Sequence, residues 1–174
     1  MSLSLQIYQV KPNPPGKDQT NNGSPTPEQL LGEWVDLENN GTESVTFSNI
    51  QLHRTLFNEL CQTKGQTELF WSAEGNGLLK PGQILRIHTG KHRDRSLMAS
   101  VDETEVDWHA YAERDDFVLN NRCGDIVVVT WRDDEGRDYK DAASYAPNPP
   151  EGAILKRSEN QLVLERPKEP EVIS

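Results

Sequence analysis

The chain has 174 residues, of which 18 are Lys or Arg and 28 are Asp or Glu, giving a formal charge of −10. That charge argues against nucleic acid as the main partner, and the length suits one domain with tails better than two domains. Apolar residues make up 34% of the chain and aromatics 7%, and no apolar run is long enough to span a membrane as a helix.

Met1-Ser2-Leu3-Ser4-Leu5 lacks the basic and long apolar regions of a secretory signal. As it stands, the sequence therefore reads as cytoplasmic; an export signal upstream would make the protein an exported one. Leu3, Leu5 and Ile7 share one face of an opening strand that stops at Pro12-Asn13-Pro14-Pro15-Gly16. Residues 16–27 form a polar stretch with nothing to bury, expected to be a mobile loop. Thr26, Pro27 and Glu28 start one helical turn that ends at Gly32, because Thr caps a helix and Pro suits its first position.

A strand follows over 32–38, with Val35 and Leu37 on one face and Trp34 and Asp36 on the other, closed by the Asn39-Asn40-Gly41 turn. Val45 and Phe47 continue an apolar face that Ile50 and Leu52 resume one residue out of phase, which predicts a bulge or a strand break. In Ile84–His88, Leu85 and Ile87 point inward while Arg86 and His88 point outward. Ile126–Trp131 is apolar on both faces and reads as a central strand, covered on both sides or presenting one face to a partner. Asp133-Asp134-Glu135-Gly136 supplies a turn, and 139–145 returns as the next strand. Residues 1–150 are thus expected to form an all-β antiparallel sandwich, and 151–174 a charged, flexible C-terminal tail.

Three stretches, in order, resemble the lamin tail domain family. Gly32-Glu33-Trp34-Val35-Asp36-Leu37-Glu38-Asn39 is similar to the family's Gly-Glu-aromatic-Val-x-Leu-x-Asn strand, and 47–52 lies where its second strand would be, with Asn49-Ile50 in place of the usual Gly-Trp pair. Leu79-Lys80-Pro81-Gly82 through His88-Thr89-Gly90 resembles the family's Leu-x-Pro-Gly turn and strand, with an ending seen in bacterial members. Leu119 to Asp125 is similar to the Asn-Asn-x-Gly-Asp loop with one extra residue, and Ser144-Tyr145 closes the pattern. The resemblance covers residues 5–145. It implies an immunoglobulin-like sandwich that serves as a recognition or anchoring module and shares no catalytic set.

Cys61 and Cys123 are too few for a disulfide scaffold and lack metal spacing, so two ordinary thiols are expected. The alternative takes Cys61, Trp71 and Cys123 as the Cys, Trp and Cys of an immunoglobulin domain. Against it, Cys61 lies in a loop-like segment, and Asn121 stands where that fold places a tyrosine.

His88 and His92 are close in sequence, but one ends a strand and the other sits in a loop, so no metal or other cofactor is expected there. The acidic residues Asp102, Glu103, Glu105 and Asp107 beside Trp108, and the Asp133–Asp138 group, read as solvated charge rather than as paired catalytic carboxylates or a calcium loop. No nucleophile elbow, phosphate-binding loop or zinc-protease helix is present, so the chain reads as a non-enzyme.

Arg86, His88, Lys91, His92, Arg93 and Arg95 form a local basic patch, and with Asn120, Asn121 and Asp125 they are the candidate binding residues. The leading expectation is a non-catalytic protein-interaction module with an unidentified protein partner. The alternatives are an accessory domain of a hydrolase or ligand-binding system and, third, a weak nucleic-acid binder that uses the basic patch.

Overall fold

The computed structural model describes residues 4–16 and 24–164. In chain order its elements are β1 (Leu5–Lys11), α1 (Pro27–Gly32), β2 (Trp34–Asn39), β3 (Val45–Thr46), β4 (Gln51–Phe57), β5 (Thr63–Ser72), β6 (Leu78–Leu79), β7 (Ile84–His88), α2 (Ser100–Glu103), β8 (Trp108–Tyr111), β9 (Asp125–Arg132), β10 (Asp138–Tyr145), β11 (Leu155–Ser158) and β12 (Gln161–Leu164). Single 3₁₀ segments occupy Phe47–Asn49 and His92–Leu97.

Ten strands join in one sheet in the order β5-β4-β9-β10-β12-β11-β1-β2-β7-β8, while β3 and β6 pair separately. Within the large sheet all pairings are antiparallel except β10 with β12 and β7 with β8. The sheet curls over so that Leu52, Trp71, Val127 and Val129 from one half meet Ile7, Val35, Leu37, Leu85 and Ile87 from the other in a single core. This is an all-β, sandwich-like fold, built as alternating strand faces require.

The expected helix is present, held by a capping box in which Thr26 Oγ1 accepts from the Gln29 amide and Gln29 Oε1 accepts from the Thr26 amide. The phase shift after Phe47 is a strand break made by the 3₁₀ turn. β9 is central, flanked by β4 and β10, with Val127, Val129 and Trp131 buried and Ile126 and Val128 half-buried on its other face. The loop expected over 16–27 lies largely outside the described residues.

Three expectations are corrected. First, 155–164 is no tail: it forms a hairpin wedged between β10 and β1. β12 meets β10 through one pairing, Ser144 with Gln161, and side chains complete the join. The Arg157 guanidinium donates to Ile7 O, Ala142 O and both Asp141 carboxylate oxygens, and Asp141 accepts the Ile7 amide. Residues 165–174 of the expected tail lie outside the described residues.

Second, Cys61 and Cys123 form a disulfide, with Cα atoms 5.2 Å apart. Cys61 does sit in a turn, but that turn joins β4 to β5, and β4 also pairs with β9; the end of β4 therefore lies beside the loop that leads into β9. Third, β2 and β7 are buried on both faces, including Trp34, Asp36, Arg86 and His88. Period-two alternation marks charged residues as outward, and here that second face carries its own cover.

Candidate functional site

Register places Asp36 of β2 directly opposite Arg86 of β7. The two form a buried bidentate pair at 2.8 and 2.9 Å, with the guanidinium lying 3.6 Å over the Trp34 ring. α2 closes over them: Arg86 also donates to Asp102 O, while the Asp102 carboxylate accepts from Lys11 Nζ at 2.5 Å and from Trp34 Nε1 at 2.9 Å. Asp102, expected in solvent, is thus the anchor of that cover. Burial pushes the Asp36 carboxyl above its ordinary value, and the bonds from Arg86 and Gln9 draw it back.

His88 is fully buried beside this group. Its Nδ1 donates to Leu31 O at 2.7 Å, its Nε2 meets His109 Nδ1 at 2.7 Å, and His109 Nε2 donates to Glu103 O at 2.8 Å. Carbonyls accept at both ends of this chain, so it is complete only with three N–H protons, one more than two neutral imidazoles carry. Burial holds the His88 imidazole down at about 4, with His109 and Arg86 adding to the effect and the bond to Leu31 opposing it.

The candidate binding residues do not converge. Arg86 and His88 leave the basic patch for the interior. Lys91, His92, Arg93 and Arg95 remain around the 3₁₀ segment, where Lys91 pairs with Asp115 at 2.5 Å and Arg95 donates to His92 O at 3.0 Å. Asn120, Asn121 and Asp125 form a separate loop whose polar groups bond mostly to backbone of the loop and of its neighbours, while the buried Asn121 Oδ1 has no partner among the described residues. Asp125 accepts the Thr55, Ile126 and Asn120 amides, Asn120 Oδ1 accepts the Cys123 amide, and Asn121 O accepts the Asn148 amide. Burial raises the Asp125 carboxyl to about 6 despite these bonds. In that loop Gly124 has φ +72°, and a Cβ there would lie 2.2 Å from Tyr145 O. Among the described residues no group of three metal-ligating side chains converges.

What the fold does build is a cleft of about 650 Å³ where the two ends of the large sheet approach each other. Its lining includes every residue from Phe70 to Ala73 and on to Glu74, and every residue from Trp108 to Glu113. Successive strand residues point to opposite faces, so a cleft that touches all of them runs along the strand edges rather than over a face. Its walls are aromatic: Phe47 packs edge-on against Trp108 at 5.1 Å, and His92 packs edge-on against Tyr111 at 5.2 Å. Trp108 is 42% exposed and Trp71 is buried at the base. Just beyond the lining, the Arg114 guanidinium donates to Leu69 O and Phe70 O.

Of these residues the sequence had drawn attention to Trp108, for the acids beside it, to His92, and to Trp71, Phe47 and Leu85, the last three as core or immunoglobulin-type positions rather than as cleft lining. Trp108-His109-Ala110-Tyr111 alternates too briefly to declare a strand, and its partner wall lies some forty residues earlier. Compared with protein-family models and with curated proteins, the chain matches none.

Proposed function

We propose that this chain is a non-catalytic recognition module of the lamin tail domain type, which engages its partner in the cleft between β5 and β8. The ordered resemblance over 32–39, 79–90 and 119–125 supports the type. The cleft carries the recognition reading: aromatic side chains flank two strand edges with no further strand paired to them among the described residues. The partner remains an unidentified protein. The basic patch supports the nucleic-acid reading less, because Arg86 and His88 are 2% and 0% exposed.

Half-exposed Trp108 at the cleft mouth favours one second reading, an accessory module that stacks a ligand such as a sugar ring on the indole. Both readings place contact at Trp108, and affinity capture followed by binding of the purified partner tests them. Trp108→Ala is expected to abolish capture, and because the indole also packs against Phe47 the variant's unfolding transition is measured alongside to show that it is folded at the assay temperature. Equal capture by the variant overturns the cleft as the binding site, and a captured partner whose binding is competed by free sugar replaces the first reading with the second.

A further inference from the structure

We infer that the cleft takes an extended peptide segment that adds as a strand along the edge of β8, with alternating apolar and basic side chains. This rests on the recognition reading above and deepens it.

Three observations carry it. β8 closes one end of the ten-stranded sheet, pairing with β7 on one side and facing the cleft with the other. An edge of this kind offers a row of amides and carbonyls that a peptide backbone satisfies. Across the cleft, Arg114 already supplies side-chain donors to the Leu69 and Phe70 carbonyls of β5, so the facing edge is held by the protein itself and the edge of β8 is the one left to pair.

Register then divides the contacts. Trp108 and Ala110 lie opposite Leu85 and Ile87, on the core side, whereas His109 and Tyr111 lie opposite Arg86 and His88, on the covered outer side. A strand laid beside β8 presents every second side chain to the Trp71, Phe47 and Trp108 wall, which selects apolar residues.

Charge selects the rest. Glu74 and Glu113 are exposed and line the cleft, in a chain whose formal charge is −10. Lys91 is neutralised by Asp115, whereas Arg114 and Arg95 bond only to carbonyls and keep their charge; among the described residues no Lys or Arg lines the cleft itself, where Glu74 and Glu113 are the charged side chains. Lys or Arg side chains between the apolar positions fit this field, and acidic ones do not.

A phage-displayed random heptapeptide library panned against the full chain tests the inference, followed by a synthetic copy of an enriched peptide and the same peptide N-methylated at alternate bonds. The expected result is enrichment of peptides that alternate apolar residues with Lys or Arg, and slowed amide exchange at 108–112 in the complex. N-methylation on the strand-pairing side should cost about tenfold in affinity. Glu74→Lys should weaken the unmodified peptide.

Equal affinity after N-methylation at either set of alternate bonds overturns strand addition while leaving the recognition reading intact. So does a selection that enriches acidic peptides, or none, alongside Trp108-dependent capture of a partner. Concentration-dependent dimerisation that protects 108–112 without peptide overturns it in favour of a second copy of the chain. Partner capture indifferent to Trp108→Ala removes the cleft as the binding site, and this inference with it.

Discussion

Replacing Glu33 by Gln should stabilise the protein at neutral pH, although the residue is buried and hydrogen-bonded. Glu33 joins α1 to β2 and is 0% exposed; its Oε1 accepts from Thr89 Oγ1 at 2.5 Å and from the Val118 amide at 2.9 Å, while Oε2 has no partner among the described residues. Burial pushes the carboxyl from its ordinary 4.5 up to about 8, with the bonds from Thr89 and Val118 opposing it and Asp125 adding to it. The folded protein therefore keeps this proton up to pH of about 8, whereas the unfolded chain releases it above 4.5.

Stability contributed by the protonated carboxyl is thus complete below 4.5 and is lost as pH rises towards 8, at about 1.4 kcal/mol per pH unit. Between 4.5 and pH 7 the loss reaches roughly 3 kcal/mol. Glutamine keeps the Oε1 acceptor, mimics the neutral carboxyl and does not titrate. Urea denaturation of both proteins at pH 5, 7 and 8 checks this: the advantage of Glu33→Gln should be small at pH 5 and grow to about 3 kcal/mol at pH 7. A difference that stays constant across that range refutes a buried, protonated Glu33.

Replacing both Cys61 and Cys123 by Ser opens a crosslink spanning 62 residues and should lower stability by about 4 kcal/mol on the chain-entropy account, read as a shift in the denaturation midpoint matched by reduction of the native protein. Asp36→Ala strands the Arg86 guanidinium in the interior and should cost about 3–5 kcal/mol; Asp36→Leu combined with Arg86→Met should recover most of it in the same assay. Gly124→Ala forces a side chain against Tyr145 O at positive φ and should cost at least about 2 kcal/mol, a fall of about 6 °C in Tm by calorimetry.

Local chemistry made some elements legible. Thr26, Pro27 and Gly32 carry the start and stop of α1 within seven residues, and the Val-rich run of β9 declares a central strand by composition alone. What stayed hidden depends on partners far along the chain. Arg86 and His88 read as outward because their alternation with Leu85 and Ile87 is regular; the groups that let them be buried, Asp36, Asp102, His109 and Leu31 O, come from four other segments. Lys156 and Arg157 made 155–158 look like tail, yet Arg157 bonds to Ile7 O, 150 residues away. The cleft was the least legible of all, since its walls become neighbours only when the sheet curls.

The hairpin of β11 and β12 also sets an order of events. β1 leaves the ribosome first among the described strands, but one of its two flanks is filled by β11, and β10 gains its second neighbour only from β12. Until residues 155–164 emerge, both flanks stay unpaired and the two halves of the sheet lack the hydrogen-bonded join that β11 and β12 supply. β1 can pair with β2 as soon as that strand emerges, but its other flank waits for β11, which makes closure of the sheet a late event relative to the other described strands and makes a chain cut before Leu155 prone to aggregate through the open flanks.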